Sequence, residues 1–245
     1  ANTEIYTLSL HDALPIYVYN TVTIGSQVWM SRNLRVTHYN NGNKIPEVSE
    51  GTIWTTLSTG AYCWQNNDSV SYADLYGALY NGYSTNTGNL CPAGWHVPTD
   101  SDWTSLTDLL GGEAVAGGIL KETGTEHWSA PNTGASNDYG FTALPGGSIG
   151  GGDGIFHDLK KFGTWWSSTT TDPDWAYTRR LGFMEKLVTR TTFLRKTGLS
   201  VRCIKGDITS VSFLSEPDNI LIFPNPVDNK IYFNNGGQID RKSTR

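Results

Sequence analysis

The chain has 245 residues, 38% hydrophobic and only 17% charged, with a formal net charge of -5. That is enough apolar material to bury a core, so a disordered chain is excluded, and the negative balance disfavours a nucleic-acid partner, whose phosphates call for a positive field. Twenty-seven glycines and 12% aromatic residues suit short strands, many turns and an extracellular type of surface.

Residues 1–16, "ANTEIYTLSLHDALPI", and 239–245 differ in composition from what lies between. Both resemble translated sequencing-adapter sequence and are set aside as artefacts. A start at Ala1 without Met or an apolar leader implies that the true N-terminus is missing, and no run is long enough for a membrane span.

From Tyr17 the pattern is that of strands: Val22, Ile24, Val28 and Met30 alternate around Gly25-Ser26, a two-residue hairpin signal, and Asn41-Gly42 marks another turn. "GAYCWQNND" at 60–68 reads as a strand entering a polar loop. Tyr72, Leu75, Tyr76, Leu79, Tyr80 and Tyr83 then fall at helical spacing, which predicts a helix over 72–82 whose tyrosines belong to the core rather than to a sugar-binding row. In "CPAGWHVPTDSDWTSL", residues 91–106, Thr99 is the expected N-cap of a helix over 100–110. Asp102 completes a capping box, Asp100 and Asp102 favour the positive helix end, and Gly111-Gly112 supplies the stop. Both acids are therefore assigned to capping rather than to a metal or acid/base site.

"GGEAVAGGILKETGTEHW" reads as a broken helix, followed by a Gly-, Asn- and Ser-rich loop region over 129–154. From Thr164, "TWWSSTT", "WAYTRRLGF", "KLVTRTTFL" and "GLSVRCIK" are four strand candidates of one antiparallel sheet. Arg179, Arg180, Lys186, Arg190, Arg195 and Lys196 form a basic run among them, read as a solvated sheet face, with an acidic ligand as the lesser alternative. Residues 207–219 are a polar linker, and 220–238 begin a second β unit too short to bury a core alone.

Cys63, Cys91 and Cys203 allow one disulfide and one thiol, with three pairings open. His11, His38, His96, His127 and His157 are scattered without ligand spacing, so neither a metal nor a cofactor is expected. No nucleophile elbow, Walker loop or zinc-protease motif is present in the sequence.

The order "YGALYNGYS", "LCPAGWHVPTDSDWTSL", "GFTALPGG", "WWSSTT" and "GLSVRC", preceded by "IGSQVWMSRNL" and "GAYCWQNND", closely resembles the Fibrobacter succinogenes major paralogous (FISUMP) domain over residues 17–206. Departures are Gly82, where that family usually carries an aromatic, and Ser31-Arg32, where a small residue and an acid are common. The FISUMP domain is in turn similar to C-type lectin-like and formylglycine-generating-enzyme-like folds. The resemblance implies an α+β, C-type lectin-like domain with two helices flanking a twisted antiparallel sheet and long loops. It also implies a Cys91–Cys203 disulfide, because Cys91 lies where such folds tether this corner to the last strand, with Cys63 left free. "FPNPVDNKIYF", within 220–238, resembles the start of a type IX secretion sorting domain. That implies a tail read by the export machinery of a Gram-negative bacterium and a secreted or outer-membrane-surface protein, where disulfides persist.

Three functions follow. The first is a surface-displayed, non-catalytic module that binds a glycan or protein through Trp128, Asn132, Trp165, Trp166, Trp175, Tyr177 and Arg179, on loops between 128 and 179 at one end of the sheet. Because Trp165 and Trp166 are adjacent on a strand, at least one of them is expected to be buried. The second is an oxidase like the formylglycine-generating enzymes, which would need Cys63 as a redox or copper thiol acting with Cys203. The third is a structural surface spacer. Glu216-Pro217-Asp218 is similar to the calcium-dependent sugar motif of C-type lectins but sits in the linker and is discounted.

Overall fold

The computed structural model describes residues 17–206 and the backbone of 220–222. Residues 207–219, on which the expected linker falls, the remainder of 220–238, on which the expected sorting segment falls, and the two chain ends lie outside the described residues.

The chain opens as expected with a hairpin, β1 (Val18–Ile24) and β2 (Gln27–Met30), closed by Gly25-Ser26 with Gly25 at φ 62°, a backbone that L side chains rarely adopt. A short helix, α1 (Gly51–Trp54), buries Trp54 and leads to β3 (Tyr62–Cys63). The expected helix over 72–82 is α2 (Ser69–Tyr76), capped by the Asp68 carboxylate, which accepts from the Ser71 backbone N–H at 3.0 Å. It ends six residues early because Gly77 sits at φ 75°, ψ -168°, packed so closely on the Leu34 carbonyl that a Cβ would lie 2.6 Å away. Leu79 and Tyr80 accordingly form β4 (Leu79–Asn81), and a short α3 (Gly82–Thr85) follows. Tyr76 and Tyr80 are buried, in keeping with their assignment to the core.

After β5 (Trp95–His96) comes α4 (Asp100–Leu109), which carries the predicted capping box in full: Asp102 N–H donates to the Thr99 hydroxyl at 3.1 Å, and the Asp102 carboxylate accepts from the Thr99 N–H at 2.8 Å. The "broken helix" is a third substantial helix, α5 (Glu113–Leu120), so more than two helices flank the sheets. Its Gly117 and Gly118 exist for close approach: a Cβ on Gly117 would stand 2.4 Å from the Leu187 carbonyl oxygen, and one on Gly118 2.4 Å from that of Gly134.

The remaining strands are β6 (Ser148–Ile149), β7 (Phe156–His157), β8 (Phe162–Thr170), β9 (Trp175–Gly182), β10 (Val188–Leu194), β11 (Gly198–Leu199), β12 (Ile204–Lys205) and β13 (Ile220–Ile222). All ladders between these strands are antiparallel, but the last four candidate strands do not make one sheet. β8, β9 and β10 form a meander, while the final segment crosses away as β11 into β3-β4-β11-β6-β7 and then as β12 into β13-β1-β2-β12-β5. It stays stitched to the meander by a parallel bridge between Trp165 and Ser200.

Both faces of β8 are covered, which decides the fate of its tryptophans. Trp165 joins a core with Trp29, Trp103, Trp128 and Phe141 under α4 and α5, and Trp166 joins a second with Tyr19, Tyr62, Tyr80 and the cysteines of the disulfide. A third, smaller core holds Trp54, Cys63 and Ile149. Where the cores meet, Arg202 is fully enclosed. Its guanidinium donates to Asn33 Oδ1 at 2.9 Å and to the Phe141 carbonyl, and lies 4.2 Å from the Phe141 ring centroid. Cys91 and Cys203 are bonded, their Cα atoms 6.0 Å apart.

Candidate functional site

The first turn of α4 organises one end of the meander. Asp102 and Asp100 lie two residues apart and point their charge in different directions. Asp102 Oδ2 accepts from the Thr99 hydroxyl at 2.7 Å and lies 3.2 Å from His96 Nε2. Burial pushes the Asp102 carboxyl up, but the hydrogen bonds from His96 and Thr99 more than offset it and hold the group down to about 2. Asp100 is gripped by two arginines: Arg179 reaches Oδ1 at 2.7 Å, and Arg190 places Nη2 2.8 Å from Oδ2 and Nε 3.0 Å from Oδ1. Burial again opposes ionisation, and these charge-assisted bonds prevail, keeping Asp100 below the usual carboxylate range. The two acids assigned to capping thus do more than cap.

On the Asp100 side, alternation along β9 puts Trp175, Tyr177 and Arg179 on one face, opposite Leu194, Thr192 and Arg190 of β10. Trp175 is 40% exposed, and its indole N–H has no partner among the described residues. Its backbone N–H is fixed by Asp172 Oδ1 at 3.0 Å in the hairpin that joins β8 to β9. Tyr177 is half-buried beneath Arg190, whose guanidinium carbon lies 3.9 Å from the ring centroid. The result is an aromatic platform with a cation braced on it from two sides.

On the Asp102 side lies a cleft of about 270 Å³, lined by Thr85, Asn86, Leu90, His96, Val97 and Ser168, with Cys91 in its wall. Asn86 Nδ2 donates to the Ser168 carbonyl at 2.9 Å, which orients the amide, while its Oδ1 shares the Thr85 hydroxyl proton, at 3.1 Å, with the Gly82 carbonyl at 2.9 Å.

Of the residues expected to contact a ligand, the structure leaves Trp175 and Tyr177 at the surface and encloses the others. Trp128 is fully buried, its indole N–H donating to the Ala143 carbonyl at 2.9 Å. Trp165 donates to Asn33 Oδ1 and Trp166 to the Tyr80 carbonyl, each at 2.8 Å. Asn132 is buried as a loop brace, donating to the carbonyls of Glu122 and Gly124 at 2.8 and 2.7 Å. Arg179, also buried, serves Asp100 and the Thr104 hydroxyl. Nor do these residues gather at one end. Ser129 bonds Lys160 just before β8 begins, Thr133 bonds Phe183 just after β9 ends, and Trp175 sits at the far end of β9, about 23 Å away at strand rise.

Sequence reasoning placed Arg190 only in a solvated basic run, not in the platform, and missed Thr192 and the cleft. Cross-strand register would have found the two residues, since each lies directly opposite a β9 residue already singled out. The cleft joins the stretch 85–97 to Ser168 on β8, a pairing with no local signal in the sequence. For the oxidase alternative, Cys203 is bonded to Cys91 rather than available to Cys63, which is enclosed in the smallest core with its thiol pushed up by burial. Among the described residues no group of three His, Cys, Asp or Glu side chains is placed to hold a metal ion, and no helix is long and apolar enough to cross a membrane.

The family model of the Fibrobacter succinogenes major domain matches residues 22–205, and the chain belongs to that family. No curated protein and no solved structure matches it.

Proposed function

We propose that this family member is a non-catalytic binding module displayed on the surface of a Gram-negative bacterium, and that its glycan or protein ligand rests on Trp175, Tyr177 and Arg190. The observation that supports it is Trp175: a large indole presented to solvent on a rigid ladder, its N–H unpartnered among the described residues, beside a tyrosine carrying a braced guanidinium. Sugar rings stack their C–H faces on such planar groups, and aromatic and arginine side chains also anchor protein interfaces. A C-type lectin-like fold is part of this reading, carried by the "WHVPTDSDW" corner and its disulfide to the "GLSVRC" strand. So is export by the type IX machinery through the tail that starts near residue 220. A reporter carrying the complete natural tail should then leave the cell, and its retention in the periplasm would count against that route.

The ligand is sought with the whole chain on a glycan array, with and without calcium, followed by Trp175→Ala. Loss of about 1–3 kcal/mol of affinity at unchanged thermal stability is the expected result. Binding that is indifferent to Trp175 removes the platform from the function, and turnover that depends on Cys63 would favour the oxidase.

A further inference from the structure

The His96–Asp102 pair gives the cleft a chemistry that the platform does not have. Asp102 is a carboxylate and only accepts, so in the 3.2 Å contact with His96 the nitrogen must be the donor. In neutral His96 the proton therefore sits on Nε2, and Nδ1 is a bare acceptor. Nδ1 has no hydrogen-bond partner among the described residues. The ring does not swing freely, because Oδ2 of Asp102 is itself fixed by the Thr99 N–H at 2.8 Å and the Thr99 hydroxyl at 2.7 Å, at the start of α4. His96, one of the residues that line the cleft, therefore carries an oriented acceptor with an open valence.

The rest of the lining defines what fits. Leu90, Val97 and Cys91 supply an apolar wall, and Asn86, Thr85 and Ser168 supply polar edges. Asn86 Nδ2 is already committed to the Ser168 carbonyl, whereas the Ser168 hydroxyl makes only a 3.4 Å contact with the Pro98 carbonyl and can turn to a better partner. Among the described residues, no acidic or basic side chain other than His96 lines the space, which favours a neutral ligand. Its volume, about 270 Å³, lies just below the range of roughly 300–1,000 Å³ typical of drug-sized ligands, so it suits one ring. We propose that this cleft is a second subsite, separate from the platform, which holds a single neutral hydroxylated ring of pentose or hexose size by accepting a ligand hydroxyl proton at His96 Nδ1. Apolar C–H groups of the ring then face Leu90 and Val97, and Ser168 offers the second polar contact.

The test follows the imidazole nitrogens of the whole chain by NMR during titration with methyl glucoside, methyl galactoside, methyl mannoside and methyl riboside, with acetate as an anionic control. The expected free state has His96 protonated at Nε2, and at least one glycoside should shift Nδ1 saturably together with the amides of Asn86 and Ser168, while acetate does not. His96→Phe should weaken that glycoside by about tenfold or more. If that variant fails to fold, the wild-type nitrogen shifts decide alone. A proton found on Nδ1 in the free protein, or a ring that no glycoside moves, overturns the subsite. Trp175→Ala should leave these shifts intact. If it abolishes them the cleft is not a separate subsite, whereas cleft shifts that persist while array binding ignores Trp175 would sink the platform and keep the subsite.

Discussion

The two ends of the β8–β9 ladder use similar residues to opposite purposes. At the α5 end, Lys121 is fully enclosed, its ammonium donating to the carbonyls of Thr133, Gly182 and Glu185 at 3.0, 2.9 and 2.8 Å and lying 5.3 Å from the Trp128 ring centroid. Burial lowers that ammonium to about 8, yet every donor is answered by backbone, and Trp128 answers its own with Ala143. At the α4 end, a tryptophan, an arginine and a histidine are equally well braced but keep one face or one nitrogen open. Composition alone cannot tell these ends apart. What separates Lys121 and Trp128 at the locking end from Trp175 and His96 at the presenting end is whether their polar side-chain atoms are used up by the chain itself.

Substitutions that sharpen this contrast rank by how much of the molecule depends on them. Trp128→Ala, at the locking end, should cost about 3–5 kcal/mol in denaturant unfolding through the cavity left in the core, while ligand affinity per folded molecule stays the same. A change in affinity alone, with stability kept, would reverse the roles of the two ends. The Cys91→Ser/Cys203→Ser double variant should lose about 2–5 kcal/mol, with two thiols fewer available to form a bond and Cys63 still unlabelled by alkylating agents until the chain unfolds. Labelling of native Cys63 would contradict its burial.

Asp102→Asn tests the shared corner. The folded carboxyl lies near 2, below its unfolded value of 3.8, so the stability it contributes is present above about pH 4 and is lost as pH falls towards 2. Wild type should exceed the variant by roughly 1–2 kcal/mol near neutrality, discounted for the carboxylate's partial exposure, and the two melting curves should converge near pH 2. A gap that persists at pH 2 would mean the charge is not what holds the corner. The smallest effect belongs to Trp175→Ala at the presenting end, where unfolding should change by no more than about 0.5 kcal/mol. A large loss there would show that the indole is packing rather than platform.

Much of the fold was legible from local chemistry. Gly25-Ser26 set the first hairpin, Thr99 with Asp102 set the start of α4, and Gly111-Gly112 set its end, because each signal acts within a few residues. The helix through Tyr80 was not, because its spacing competed with Gly77, whose close contact with Leu34 is tertiary. Trp165 and Trp166 illustrate the same limit: alternation says they face opposite ways, but only the covering of both faces of β8 makes both of them core. In the candidate site, Trp175 and Tyr177 were visible as aromatics on a strand. Arg190 became part of it only through register, and His96 only through an acid that sequence reasoning had already spent on capping.

The Cys91–Cys203 bond has a mechanical consequence for a protein under load. It joins points 112 residues apart, so tension applied through the two chain ends passes across the sulfur bridge and bypasses everything between. Roughly 380 Å of chain, which includes α4, α5 and the whole β8–β9–β10 meander, is thereby withheld from extension while the bond is intact. Among the described elements, those from β1 to α3 and the strands β12 and β13 lie outside the loop and yield first. The platform lies within the shielded loop and keeps its shape under such tension until the bond is reduced, whereas the cleft takes Thr85, Asn86 and Leu90 from outside the loop and would open first.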